Sequence, residues 1–186
     1  MRAPIGSFED ACPAAERLGL LTAPVARAVE GGWGGVPAEQ IIHVDTDPEI
    51  ADTAAFVAHH GADLLRRSAN CVVVAGKRGG EVTLAACLVL SHSRVDVNGA
   101  VRKHLGARKA SFAPMETAVG ETGMEFRGIT PVGLPDGWPL LIDAAVVDEE
   151  WVLIGSGTRR GKLIITGKAL AALPGAVVVE SLGTGG

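Results

Sequence analysis

Two apolar runs rich in β-branched residues lie close together in the middle of the chain. Residues 71–75 read CVVVA and residues 82–90 read VTLAACLVL, and the connection between them includes Lys77-Arg78-Gly79-Gly80. Runs of this length and composition are typical of buried strands, and glycines in a short connection suit a hairpin turn. The sequence therefore predicts a central β-hairpin against which the rest of the chain must pack.

Helices and strands alternate irregularly around this hairpin. Capping residues, prolines and glycines predict helices at 47–60, 96–105, 114–123 and 166–173. Further strands are predicted at 40–44, 138–142, 151–154, 162–166 and 176–180, and the glycines and prolines of residues 126–139 predict a loop. This order favours an α+β fold over a regular alternation of parallel strands and helices.

The length predicts one folded unit, since 186 residues with 47% hydrophobic content fall within the usual size of a single domain. We expect residues 1–39 to form an N-terminal helical extension packed on the body. Residues 40–182 are the predicted body, and residues 183–186 are the predicted frayed tail.

The apolar pattern also bears on location. No window approaches the roughly 18 uninterrupted apolar residues of a membrane span, and no basic stretch followed by an apolar run begins the chain. We expect a cytoplasmic protein without a membrane partner. The cysteines Cys12, Cys71 and Cys87 are odd in number, widely spaced and without a CxxC pair, which favours reduced, buried thiols.

Charge is distributed unevenly along the chain. Residues 61–110 carry nine basic and three acidic side chains, although the whole chain has a net charge of −4. This segment is either a phosphate-facing patch or an ordinary solvated surface, and charge counting does not decide between them. Aromatic residues make up 4% of the chain and tyrosine is absent, so we expect any RNA contact to involve backbone and shape and not base stacking.

The glycine-rich segment 155–162, GSGTRRGK, is not a nucleotide-binding loop. Its spacing does not fit a Walker loop, and the segment after it reads as a strand where a dinucleotide site requires a helix. What remains is a basic hairpin turn. Its backbone N–H groups and cations suit a phosphate or a terminal ribose, and plain turn chemistry is the alternative.

Familiar catalytic motifs are missing from the sequence. The five histidines show no metal-ligand spacing, and no GxSxG segment suggests a serine nucleophile. We therefore expect neither a metal nor a cofactor. An activated ester can be hydrolysed by a positioned water beside oriented donors, and that chemistry needs no such motif.

Several segments resemble one known family when taken together. They are Leu105-Gly106-Ala107-Arg108-Lys109, Thr122-Gly123, Gly128-Ile129-Thr130-Pro131-Val132-Gly133, Ile142-Asp143 and residues 154–161 (IGSGTRRG). In this order the segments resemble the YbaK/EbsC/prolyl-tRNA editing family, and the similarity covers roughly residues 40–182.

The resemblance implies a fold and an activity. The fold would be a single α+β domain with a curved, mixed, barrel-like β-sheet surrounded by helices. A cleft would lie beside the glycine-proline loop, residues 126–139. The activity would be trans-editing: hydrolysis of the ester that joins a misplaced small amino acid to tRNA. The implied partners are the 3′ end of aminoacyl-tRNA and an aminoacyl-tRNA synthetase, with no DNA.

The resemblance also implies roles for individual residues. Asn70, Gly128 and Thr130 would orient the ester and the attacking water. The residues that would bind the substrate form two groups: Ile129 and Pro131 would belong to the pocket wall, and the terminal adenosine would be held by Gly155, Ser156 and Gly157, with Arg160 and Lys162 nearby.

Two positions depart from the family pattern. Asn70 stands where the family has a lysine, and Arg127 stands where it has the first glycine of a pair. An amide can hydrogen-bond a substrate but cannot neutralise charge, so Lys77 or Arg127 would have to supply the cation. We therefore expect a relaxed or altered amino-acid specificity.

Two further hypotheses remain open from the sequence. The chain could be a non-catalytic module that binds tRNA or the aminoacyl group, with Asn70 recording lost activity. Alternatively, it could be an interaction domain that docks to a synthetase through its acidic N-terminal segment.

Overall fold

The predicted central hairpin is confirmed. The computed structural model describes residues 1–50 and 53–185, side chains at 53 and 54 excepted. In it, β3 (Ala69–Arg78) pairs antiparallel with β4 (Glu81–Leu90), and Arg78 lies opposite Glu81. Gly79 and Gly80 form the connection with φ values of 58° and 85°, as a tight hairpin turn requires.

This hairpin lies inside a five-stranded mixed sheet of order β10-β7-β4-β3-β6. The strands added to it are β6 (Lys109–Phe112), β7 (Leu140–Asp143) and β10 (Ala176–Val179). β7 runs parallel to both β4 and β10, whereas β6 runs antiparallel to β3. Alternate residues of β4 enter two different apolar cores, one on each face of the sheet. That is why residues 84–90 of β4 are all apolar and do not alternate with polar ones.

A second sheet has the order β1-β2-β9-β8. Its strands are β1 (Ala11–Pro13), β2 (Ile42–Val44), β8 (Val152–Gly155) and β9 (Lys162–Ile165). A parallel bridge between Ser68 and Leu153 joins the start of β3 to β8 and so connects the two sheets. A third sheet pairs β5 (Ser93–Val95) with β11 (Gly183–Gly185). The expected α+β fold with a mixed sheet is confirmed, although the sheets do not close into a barrel.

Seven α-helices pack on these sheets in the part of the chain that is described. They are α1 (Ala23–Gly31), α2 (Thr53–His60), α3 (Leu64–Arg67), α4 (Arg102–His104), α5 (Met115–Thr122), α6 (Ala144–Val147) and α7 (Gly167–Ala171). Asp96 caps the π-turn Val97–Val101 that leads into α4, with its carboxylate accepting from the amides of Gly99 and Ala100. The predicted helix at 47–60 is a 3₁₀ turn, Pro48–Ile50, followed by α2, and residues 51 and 52 lie outside the described residues.

The two ends of the chain differ from the expectation. The N-terminal segment is not wholly helical, because Ala11–Pro13 form strand β1 and Ala14–Leu20 form a 3₁₀ helix before α1. Residues 183–185, expected to be frayed, form β11. Both short strands find their hydrogen-bond partners far away in the sequence, and local patterns carry no signal for such pairing. Within residues 1–50 and 53–185, no helix is long and apolar enough to cross a membrane.

Candidate active site

A cleft of about 590 Å³ opens where the two large sheets meet. Four of the ten predicted site residues line it: Asn70, Ile129, Gly155 and Lys162. The two departures from the family pattern therefore flank one space, because Arg127 lines the same cleft as Asn70. Side chains that include Val72, Val73, Ala118, Leu153 and Ile154 give the cleft largely apolar walls.

Sheet pairing explains why these distant residues meet. The bridge from Ser68 to Leu153 holds the beginning of β3 beside β8, and Asn70 is two residues beyond it. At the end of β8, Gly155 lies opposite Lys162 of β9. The cleft thus collects residues from the core hairpin and from the basic turn at 155–162.

The glycine-proline loop reaches the cleft by packing its backbone directly on that turn. The amide of Gly157 donates to the Gly128 carbonyl at 2.8 Å, and the amide of Glu125 donates to the Gly157 carbonyl at 2.8 Å. A Cβ on Gly155 would lie 2.7 Å from the Gly128 carbonyl oxygen, and one on Gly128 would lie 2.7 Å from the Thr158 carbonyl. Glycine is required at both positions because any side chain would separate the two loops.

Hydrogen bonds within the loop show which of its backbone amides already have an acceptor in the protein. The Gly128 amide donates to the Glu125 carbonyl at 2.9 Å, while the Glu125 carboxylate accepts from the Arg159 amide at 2.7 Å. Among the described residues, the Ile129 amide donates to no protein acceptor. Gly128 therefore shapes the loop, and Ile129 lines the cleft together with Phe126 and Arg127 of the same loop.

Thr130 and Pro131 lie behind the cleft wall. Both are buried, and neither lines the cleft. The Thr130 amide donates weakly to the Met124 sulfur at 3.4 Å, and within the described part of the chain the Thr130 hydroxyl has no partner. A direct role for this hydroxyl in positioning water is not supported by its place in the fold.

Three predicted site residues of the basic turn lie away from the cleft. Ser156 is fully buried, and its hydroxyl donates to the Gly161 carbonyl at 3.1 Å. Gly157 has a φ of 89° and stands against Val25 and Thr22. None of the three, Ser156, Gly157 or Arg160, lines the cleft.

Arg160 faces a separate surface pocket of about 290 Å³. Its guanidinium makes a two-pronged ion pair with Asp45, with Nε to Oδ1 at 2.8 Å and Nη2 to Oδ2 at 2.6 Å. This ion pair lowers the pKa of the Asp45 carboxyl. Arg160 is therefore engaged within the protein and is not among the cations at the cleft.

The cations of the cleft are Lys162 and Arg127, with contrasting surroundings. Lys162 is half-buried, and desolvation lowers the pKa of its ammonium group. Arg127 is exposed, with its guanidinium carbon 5.5 Å from the centre of the Phe126 ring. Arg127 has a φ of 64°, the left-handed conformation that suits glycine, which accounts for the glycine of the family pattern at this position.

Two aromatic residues that no sequence motif indicated lie at the same cleft. Phe112 and Phe126 both line it and are 58% and 51% exposed. Composition predicted no stacking surface, yet two of the four phenylalanines are exposed here. The sequence did carry one signal for the exposure of Phe126, because this residue stands between the charged Glu125 and Arg127 in an irregular segment.

The three cysteine thiols are free. Cys71 lines the cleft, and burial raises the pKa of its thiol well above the ordinary range. Burial likewise raises the pKa of Cys87 to about 12. Neither thiol is primed as a nucleophile, because the thiolate is the reactive form. Among residues 1–50 and 53–185, no three His, Cys, Asp or Glu side chains are grouped closely enough to hold a metal ion.

Comparison with models of protein families identifies the group to which the chain is related. The model of the aminoacyl-tRNA editing domain matches residues 47–173, which is more than half of the chain. The chain belongs to the aminoacyl-tRNA editing domain family. The family predicted from the loop motifs is thus confirmed, and the cleft lies within the matched region of this editing domain.

Solved structures share the fold of this editing domain. A protein proposed to be a trans-editing enzyme for prolyl-tRNA synthetase has a TM-score of 0.68 and 23% identity, covering 88% of this chain and 99% of that one. A protein from a study of epitope backbone grafting by computational design has a TM-score of 0.69 and 22% identity, with the same coverage. No protein with a curated description matches the sequence.

Proposed function

We propose that this editing domain hydrolyses the ester that joins a misplaced small amino acid to the 3′ end of tRNA. The proposal includes action in trans, in the cytoplasm, on the product of a synthetase that has charged the wrong amino acid. Membership of the aminoacyl-tRNA editing family supports the substrate class. The observation that carries the proposal is that Asn70, Ile129, Gly155 and Lys162, from three separate segments, line one cleft.

The cleft suits a small aminoacyl group. Its volume of about 590 Å³ lies within the range of roughly 300–1,000 Å³ typical of small-molecule sites. Apolar side chains such as Val73 and Leu153 bound the space without offering hydrogen bonds to a polar side chain. Such a wall discriminates by size, at roughly 1–3 kcal/mol per methylene.

The proposed reaction is direct attack by water. The water oxygen bonds to the ester carbonyl carbon, the bond from that carbon to the ribose oxygen breaks, and the ribose oxygen takes up the proton that the water gives up. Negative charge develops on the carbonyl oxygen during the attack. Oriented donors and cations stabilise that charge, and the Ile129 amide and the ammonium group of Lys162 are the candidates in this cleft.

Asn70 is the candidate for orienting the substrate. It is exposed and lines the cleft, so its amide can donate to the ester carbonyl and accept from the α-amino group. Gly128, Pro131, Ser156 and Gly157 hold the two loops in place in this proposal.

Deacylation assays with Ala-, Cys-, Ser- and Thr-charged tRNA test the proposal. We expect turnover of at least one of these substrates, a decrease of tenfold or more in Asn70→Ala, and activity in Asn70→Lys. Asn98→Ala is the matched control, because Asn98 is exposed and lies outside the cleft. No turnover of any of the four substrates would refute the proposed hydrolysis.

One alternative is favoured by a specific observation. Because Asn70 replaces the family lysine, the chain could bind the aminoacyl end without hydrolysing it. In that case the wild type binds tRNA without turnover, and Asn70→Lys gains activity that the wild type lacks.

A further inference from the structure

The cleft mouth carries an apolar surface that the proposed hydrolysis does not use. Phe112, Met115 and Phe126 are each more than half exposed, and all three line the cleft. The walls that would hold the aminoacyl group are formed by other side chains, such as Val73 and Leu153. Two aromatic faces exposed at one opening are unusual in a chain with so few aromatic residues.

We propose that Phe112, Phe126 and Arg127 form a stacking site for an unpaired nucleobase at the 3′ end of the RNA. The inference rests on the proposed function, because the base and the ester belong to one substrate. A base next to an ester held in the cleft must lie at the opening, where these side chains are. Phenylalanine has no polar edge, so the site takes a base without reading its identity.

Arg127 supports an RNA occupant over an apolar peptide. Its guanidinium lies against the Phe126 ring, so the platform has a cationic group on an aromatic face. Guanidinium and aromatic planes are the two surfaces on which unpaired bases stack in proteins. Arg127 also holds a left-handed conformation that a glycine would adopt at lower cost, and strain of this kind is concentrated at functional sites.

Charge along β6 supports the same occupant. β6 is an edge strand, and it runs from Lys109 to Phe112, about 10 Å at the usual rise per residue. Lys109 pairs with Lys77, and the Arg108 amide donates to the Lys77 carbonyl at 2.9 Å. One end of this strand is therefore basic, and the other end reaches the cleft.

The basic end includes further exposed cations. The Arg78 guanidinium donates to the Gly106 carbonyl at 2.9 Å, which places it beside the turn after α4. The cations around this end are Lys77, Arg78, Arg102, Lys103, Arg108 and Lys109, all exposed, and none forms an ion pair within residues 1–50 and 53–185. The acidic residue on the adjoining hairpin turn is Glu81. This arrangement fits RNA phosphates at one end of β6 and an unpaired base at the other.

Binding of uncharged RNA tests the inference without relying on catalysis. The probes are an RNA hairpin with a four-nucleotide single-stranded 3′ overhang and the same hairpin with a blunt end, measured by fluorescence anisotropy at fixed salt. We expect the wild type to prefer the overhang. Phe112→Ala and Phe126→Ala should each bind the overhang roughly 5-fold to 160-fold more weakly, the range for loss of one base stack.

Matched variants separate stacking from other roles. Phe126→Trp should keep the preference and Phe126→Leu should lose it, because leucine is apolar but has no aromatic face. Val178→Ala is the control for loss of an exposed apolar side chain, since Val178 is 46% exposed on β10 at the opposite edge of the sheet. It should bind both probes as the wild type does.

The outcomes distinguish this inference from the proposed hydrolysis. Overhang preference without any deacylation would support the stacking site and refute the hydrolysis. Deacylation with unchanged overhang binding in both Phe→Ala variants, or with Phe126→Leu equal to the wild type, would refute the stacking site alone. Self-association of the wild type that the Phe→Ala variants abolish would assign the surface to a second copy of this chain and would also refute the inference.

Discussion

Replacing Arg127 with glycine should relieve strain in the backbone and weaken the activity at the same time. Arg127 has a φ of 64°, and a side chain in the left-handed region costs about 1–2 kcal/mol. Glycine removes that cost but adds about 0.5–1 kcal/mol of unfolded-state entropy. The net gain from the backbone is about 0.5–1 kcal/mol.

The backbone gain can be isolated with a second variant. Arg127→Ala also loses the guanidinium and its contact with Phe126, worth about 0.5–1 kcal/mol at an exposed site, but keeps the strained backbone. Arg127→Gly should therefore be more stable than Arg127→Ala by about 0.5–1 kcal/mol. For a chain of this size that is about 1–4 °C in Tm.

Thermal and urea unfolding measure the stability difference, and deacylation measures the activity. Ser181 is the matched control: it is exposed, its φ is 57°, and it does not line the cleft. Ser181→Gly should exceed Ser181→Ala in stability by a similar amount, with activity unchanged. Both Arg127 variants should lose tenfold or more in kcat/KM if the guanidinium contacts the substrate, since hydrogen bonds to charged groups are worth about 1.5–3 kcal/mol. Equal stability of Arg127→Gly and Arg127→Ala would refute the strain, and full activity in both would refute the role of the guanidinium.

Three further predictions concern Gly155, His43 and Thr130. Gly155→Ala should lose about 1–3 kcal/mol of folding stability and most of the activity, because its Cβ would meet the Gly128 carbonyl. Gly120→Ala, in α5 with open space around it, should be neutral or stabilising by up to about 1 kcal/mol. Equal stability of the two variants would contradict this packing. Burial is the largest cause that lowers the pKa of His43. As the pH falls, this histidine therefore takes up a proton in the unfolded chain before it does so in the folded protein. The folding stability should then decrease below about pH 6.5, by at most about 1.4 kcal/mol per pH unit. Comparing Tm at pH 7.5 and 5.5 should show a smaller loss in His43→Leu, and equal losses would speak against the assignment. Thr130→Val should keep its activity and should keep its folding stability or gain up to about 1 kcal/mol. The reason is that the buried Thr130 hydroxyl has no partner among the described residues. A large loss of turnover would restore a direct role for that hydroxyl.

The sequence by itself determined the elements with strong local signals. β-Branched runs and the glycine pair at 79–80 specify the β3–β4 hairpin, and Asp96 specifies the turn into α4 through its own side-chain hydrogen bonds. The loop motifs determined the family, because Gly128 and Gly155 are required by a backbone contact that admits no side chain. The hairpin and capping signals are local, because each acts within a few residues of its own position in the sequence.

The tertiary structure alone decided which residues share the cleft. Nothing local indicates that Arg160 pairs with Asp45 while Lys162, two residues later, lines the cleft, or that Phe112 and Phe126 are exposed at one opening. Strands β1, β5, β6 and β11 have only three or four residues and form because partners distant in the sequence supply their hydrogen bonds. Whether a side chain is buried, paired or free depends on what packs beside it, and that neighbour is set by the whole fold.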